Sequence, residues 1–372
     1  MYFKISKKTF YSALTTASRA ISNFSPLPAF SGIKIELTPD ELKLTGSDSD
    51  ISILTCVKSD EDSHLEIMDT GSVVIESKYI LDIVRKIDSS MIEFEVIDGC
   101  LTKISAGSSE FKINGMKSIE YPPIDFSNPK TFFSLSSNSL KEMIAQTVFA
   151  ASDKETRPVL TGVNFKASNK VLECVATDSY RLAKKCLELK EDINFDITIP
   201  AKSLNEISKL LEDEIDVDIY VSDKKVQFVI GDTLIQTRLI DGKYPETNRL
   251  IPLSFDYELT IDIHDILTAI DRASFIKNDG VSVIKLSLNE NECILSNKSA
   301  EIGSSTEVLS TASYSGNPLN ISFNGKYVFD AIRSLSGSLV KFSFCGEMKP
   351  FIIQSVNDNT ILQLVLPVRT YA

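Results

Sequence analysis

The feature that most constrains this chain is its internal repetition. The stretch "ESKYILDIVRKI" (76–87) recurs as "PAKSLNEISKLL" (200–211) and again as "NGKYVFDAIRSL" (324–335). Lys78, Lys202 and Lys326 follow one another at intervals of 124 residues, and Arg85, Lys209 and Arg333 keep the same interval. So do the acids Asp82, Glu206 and Asp330. A fixed period of this kind marks one structural unit used several times.

A second segment repeats alongside the first: "FKISKKTFYSALTTASRA" from Phe3, "FSLSSNSLKEMIAQTVFA" from Phe133 and "LTIDIHDILTAIDRASFI" from Leu259. Each opens on strand alternation (Phe3 and Ile5, Phe133 and Leu135, Leu259 and Ile261). Each then changes to helical spacing (Phe10 and Leu14, Leu140 and Ile144, Ile266 and Ile270). Further strand-like runs follow, with Gly32 matching Gly162 and Asp48 matching Asp178. Short apolar runs such as "SVVIES", "FDITIP" and "LNISFN" flank the second helix. The expected fold is α+β, three similar domains of two helices on antiparallel strands. Strand patterns lapse at "SNPK" and "LIPLSFD", which sets expected domains at 1–128, 129–253 and 254–372.

On a helix advancing about 100° per residue, Arg85 falls on nearly the same line as Lys78, while Ile80, Ile83 and Ile87 lie on the opposite side. Asp82 is spaced for salt bridges to both cations, so one such helix is an ordinary solvated amphipathic face. Three copies in a chain of formal net charge -12 read differently. Lys7, Lys8, Arg19, Lys141 and Arg272 add basic residues on the companion helices. A net positive surface within an acidic body, with pI about 4.9, is expected to bind a polyanion through phosphates, with little sequence preference.

Other classes find little support. The six cysteines are scattered without a CxxC pair, and the two histidines, His64 and His264, stand far apart, so no metal site and no cofactor is expected. An enzyme using carboxylates such as those in "LEDEIDVD" lacks a repeated acid–base motif and a glycine-rich phosphate loop. A passive scaffold without DNA contact is the other alternative. No apolar run approaches the ~20 residues of a membrane span, and "MYFKISKKTF" has no secretory core, which points to the cytoplasm and to no membrane partner.

The three-module plan, with "ATDSYRLA" (176–183), "TRPVLTGVNF" (156–165), "DGKYPETNRLIP" (241–252) and the terminal "LQLVLPVRTYA", resembles the bacterial DNA polymerase III beta subunit family, the replicative sliding clamps, over essentially the whole chain. The resemblance implies a head-to-tail homodimer forming a ring of six domains around double-stranded DNA, non-catalytic and acting as a processivity factor. It implies that Lys78, Arg85, Lys202, Lys209, Lys326 and Arg333 face the duplex, with Lys154 and Arg157 on a loop that touches DNA. Phe24 departs from the pattern, since related clamps can carry a basic residue there.

The family also implies an apolar cleft between the second and third modules, which receives peptides of the replicative polymerase, the clamp loader and repair proteins. Arg157, Val159 and Leu160 would line it from one loop, and Thr177, Ser179, Tyr180, Arg181 and Leu182 from "ATDSYRLA". Pro245, Arg249 and Leu250 follow from "YPETNRL", and Pro350 from "MKPF". The C-terminal run contributes Leu364, Val365, Leu366, Pro367, Val368 and Arg369. Aliphatic walls with a few arginines and hydroxyls suit leucine or phenylalanine anchors.

Overall fold

The computed structural model describes residues 1–22 and 27–369; Phe24 lies outside the described residues. Among these are six α-helices: α1 (Lys7–Ser18), α2 (Ser77–Lys86), α3 (Ser137–Thr147), α4 (Ala201–Ser208), α5 (Ile263–Ala273) and α6 (Gly325–Arg333). Each begins at the residue after a β-strand, as the repeated change from alternation to helical spacing requires. The helices of the last repeat are fixed at their starts by side chains. Asp262 accepts from the backbone N–H of His264 and Asp265, and Asn324 from that of Lys326.

The chain forms two compact units, one of Met1–Leu140 with Lys202–Leu239 and the other of Lys141–Ala201 with Ile240–Ala372. The middle repeat is thus divided between them. Its strands explain the division, because each unit holds one long antiparallel sheet that draws on two repeats.

In the first unit an eight-stranded sheet runs in the order 131–136, 216–221, 225–230, 233–238, 51–58, 41–47, 32–37, 71–76. Strand 233–238 of the second repeat pairs there with 51–58 of the first, Leu234 opposite Leu54 and Ile235 opposite Ile53. A five-stranded sheet, 66–69, 2–6, 91–98, 101–106, 109–114, completes the unit. Helices α1 and α2 pack over a core in which Phe3 stacks on Phe94 at 4.9 Å and Phe10 meets both rings edge-on. Burial of each such ring contributes about 1.5–3 kcal/mol. On α2 it is Ile80 and Val84 that are fully buried, with Ile87 just beyond the helix, while Ile83 is only partly covered.

The second unit has a nine-stranded sheet in the order 195–200, 162–168, 171–177, 181–188, 361–365, 351–355, 339–344, 257–262, 313–315. Strand 361–365 of the third repeat pairs with 181–188 of the second, Leu364 opposite Leu182. A four-stranded sheet, 303–308, 293–299, 283–288, 319–324, lies beside the helices α5 and α6, and Phe323, Phe342, Phe344 and Phe351 fill the shared core.

The matched residues Gly32 and Gly162 have the same cause. Each opens a strand against the close of another, Gly32 opposite Glu76 and Gly162 opposite Pro200. A β-carbon would sit 2.6 Å from Val74 Cγ1 in the first case and 2.6 Å from the Ile199 carbonyl oxygen in the second. Only glycine leaves room for the Val74 side chain in the first case and the Ile199 backbone in the second.

Candidate functional site

The matched acids Asp48 and Asp178 build the same turn twice. Asp48 Oδ1 accepts the N–H groups of Asp50 and Ile51, and Asp178 Oδ1 those of Tyr180 and Arg181. The residue after each acid takes a positive φ, 84° at Ser49 and 79° at Ser179. In the second unit this turn aims Arg181 and Leu182 into the strand that meets 361–365.

Some of the predicted groove residues gather around that strand pair. Leu160, Leu182 and Leu364 join Val175 and Tyr244 in one buried apolar cluster, with Val159, Ile251, Leu362 and Leu366 partly covered against it. Thr177 Oγ1 donates to the Arg181 carbonyl, and Leu366 N–H donates to the carbonyl of Tyr180. Val368 N–H donates to the Ser322 carbonyl, so the C-terminal run with Pro367 and Arg369 is tied to the strand at 319–324. Arg157, Pro245, Arg249 and Leu250 are exposed, Leu250 at the end of a short 3₁₀ turn. Pro350 precedes strand 351–355, whose Phe351 pairs with Val365. Val365 itself belongs to the core under α5 and α6.

Tyr244 was not anticipated from sequence, although it stands beside Pro245. Its hydroxyl accepts the N–H of Thr177, and burial pushes its pKa well above the ordinary phenol range. The neighbours of Arg181 were also missed. Arg181 Nε donates to Asp178 Oδ2 and Nη1 to Asp330 Oδ2, and its guanidinium lies 4.5 Å from the Tyr327 ring centre and 5.5 Å from that of Phe149.

The repeated cations are exposed: Lys78 at 65%, Lys202 at 73% and Lys326 at 72% of the side chain. Arg85, Lys154, Lys209 and Arg333 are exposed too. Their pairing corrects one expectation. Asp82 does not bridge Lys78 and Arg85; its two oxygens take Arg85 and Lys86, both at 2.7 Å, and these bonds hold its carboxyl below the usual range. Lys78 turns instead to Glu76 at 2.8 Å, which raises its pKa and keeps it charged. Three cations against two acids leave this stretch net positive.

Lys209 pairs with Glu206 at 2.7 Å, and Lys202 reaches Asp48 Oδ2 at 3.2 Å. Lys7, Lys8, Arg19 and Lys209 line one cavity of about 690 Å³ with Tyr11 and Thr15. Arg272 is engaged by Glu307 at 2.7 Å. In the second unit Lys154 and Lys326, expected on the DNA side, and Tyr180 and Arg181, expected in the groove, line a single cavity of about 590 Å³. Among the described residues no group of three or more metal-ligating side chains gathers, and no helix is long and apolar enough to cross a membrane. His64 and His264 are exposed.

Comparison with known proteins gives the class. The N-terminal, central and C-terminal domains of the DNA polymerase III beta subunit match residues 1–125, 134–246 and 248–369. The chain is 40% identical to a beta sliding clamp of Bacillus subtilis over the full length of both, and 40% identical to one of Staphylococcus aureus, again over both full lengths. It superposes on the crystal structure of the Bacillus subtilis DNA polymerase sliding clamp with a TM-score of 0.96 at 39% identity, covering all of both chains. On the DNA polymerase III beta chain of Streptococcus pneumoniae the TM-score is 0.95 at 34% identity, covering 99% of this chain and all of that one.

The chain therefore belongs to the bacterial DNA polymerase III beta subunit family, the beta sliding clamps. It is a DNA polymerase processivity factor of DNA replication, a ring-forming, non-catalytic partner of DNA and polymerase.

Proposed function

We propose that two copies of this chain close head to tail around duplex DNA and that each carries a peptide groove in its second unit. The chain divides into modules at 1–128, 129–253 and 254–372. The observation that carries the ring reading is a pair of open strand edges. At both seams between repeats, the fourth strand of one repeat (51–58, 181–188) pairs with the last strand of the next (233–238, 361–365). The fourth strand of the third repeat (303–308) and the last strand of the first (109–114) stand at sheet edges. A second copy, related by a two-fold axis, supplies each with the neighbour that the pattern calls for.

Within such a ring Lys78, Arg85, Lys202, Lys209, Lys326 and Arg333 meet phosphates from the helices, with Lys154 and Arg157 beside them. Numerous weak contacts without base reading allow sliding, and closure of the ring rather than affinity retains the clamp. The apolar cluster around Leu182 and Leu364 supports the groove reading, with the replicative polymerase, the clamp loader and repair proteins as partners that share one short motif. The cytoplasm is where such partners meet it.

The test is retention of the loaded clamp on closed circular DNA through salt that abolishes simple electrostatic binding, with release on linearisation. Equal loss from both forms at one salt concentration overturns the ring.

A further inference from the structure

The two cation sets assigned above to separate tasks are joined by one atom. Asp330 Oδ2 accepts from Lys326 Nζ at 2.7 Å and from Arg181 Nη1 at 2.8 Å. Lys326 is a mostly exposed cation of the repeated helix face, whereas Arg181 is only 10% exposed, clamped between Tyr327 and Phe149 and tied to Asp178. Asp330 itself is 20% exposed, so its ion pairs are screened less than those of an open surface.

The other seam is an internal control. Lys202, Glu206 and Asp48 are the counterparts of Lys326, Asp330 and Asp178. There Ile51 occupies the place of Arg181, Lys202 bonds to Asp48, and Glu206 is taken by Lys209 and Arg19. A carboxylate shared between an exposed helix-face lysine and the arginine after the turn is therefore found at the second seam and not at its counterpart.

We propose that Asp330 is a positioning residue that couples the DNA-facing side of α6 to the peptide groove, through Arg181. A phosphate that draws Lys326 away leaves Asp330 Oδ2 to Arg181 alone. The remaining charge-assisted bond strengthens, since one carboxylate oxygen is no longer divided between two donors. Arg181 is then held more firmly against Tyr327 and yields fewer of its N–H groups to an arriving peptide. Linkage makes the effect mutual: peptide bound to Arg181 loosens Asp330 from it and strengthens its hold on Lys326. Engagement of Lys326 by DNA and occupation of the groove by an acidic peptide thus oppose each other. The coupling rests on the groove and DNA readings given above.

The experiment measures binding of a synthetic peptide, carrying leucine and phenylalanine anchors and one acidic residue, to the full-length clamp with and without a short duplex at constant salt. Wild type is expected to bind about fivefold more weakly with the duplex present. Lys326→Ala is expected to show the weaker affinity at all times and not to respond to DNA. Asp330→Asn is expected to bind tightly in both conditions, while Asp330→Glu restores the response. In peptide-free protein, exchange of the Arg181 Nη1 protons, which bond to Asp330, should slow in Lys326→Ala, a change that loss of a merely structural contact would not produce. Equal wild-type affinity with and without duplex overturns the coupling but leaves the groove standing, as does a DNA response in both Lys326→Ala and Asp330→Asn that matches wild type. A wild-type clamp that binds no such peptide overturns the groove reading and the coupling with it.

Discussion

The hydroxyl of Tyr244 accepts the backbone N–H of Thr177 at 3.0 Å, holding the "YPETNRL" segment against the turn that carries Arg181. Both residues are buried, so Tyr244→Phe strands a donor that water does not reach. We expect a loss of about 1–3 kcal/mol in urea unfolding of the second unit, together with weaker peptide binding. An unchanged unfolding midpoint would show the bond to be dispensable.

Alkaline stability follows from the same residue and its counterpart in the first repeat, Tyr121, whose hydroxyl points at the Thr45 carbonyl. Burial pushes both phenols up, so the folded protein keeps these protons at a pH where the unfolded chain releases them. Their contribution is therefore complete below the unfolded tyrosine value of about 10 and is lost as pH rises above it. Urea midpoints measured from pH 9 upward should fall less steeply in Tyr121→Phe/Tyr244→Phe than in wild type once each is normalised to its value at pH 8.

Exposure of Lys78, Lys202 and Lys326 makes each available to a phosphate. Replacing all three by alanine should lower the slope of log affinity against log salt by about 1 for each lost contact, about 3 for each chain of the ring. The loss should be the same on duplexes of any sequence, measured by titration at several salt concentrations.

The open edge at 303–308 gives a sharp test of assembly. Successive residues of a strand point their N–H groups to opposite sides, so proline at Ser305 or at Thr306 removes one bond within the sheet in one case and one across the open edge in the other. One of the two variants should remain folded and halve its mass in sedimentation. A dimer in both would place the interface elsewhere.

Truncation separates groove from core. Leu364 and Val365 are buried in a strand paired on both sides, so deletion from Leu364 onward should unfold part of the second unit. Deletion from Pro367 onward spares that strand. It should abolish peptide binding with only a few degrees' change in thermal midpoint, read by calorimetry.

The repeat was legible because it is written in local periodicity: six strand-then-helix starts, two glycines at close approaches and two aspartates at turns. The partners of those elements were not, since strand 51–58 meets 233–238 and Arg181 meets Asp330 across distances that no local pattern encodes. Pairing on one helix also escaped prediction. Side chains of Arg85 and Lys86 lean back towards the helix start and occupy both oxygens of Asp82 before Lys78 can. At the third copy Ser334 replaces the second of these, and Lys326 keeps its acid.

Both seams between repeats are strand pairs rather than linker contacts, and a hydrogen-bonded seam has no need of the peptide bond that happens to precede it. A nick in "SNPK", at 127–130, removes no rung of the ladder between 51–58 and 233–238. Interruption at that point would leave the first and second repeats joined, because strand 51–58 still finds 233–238 beside it.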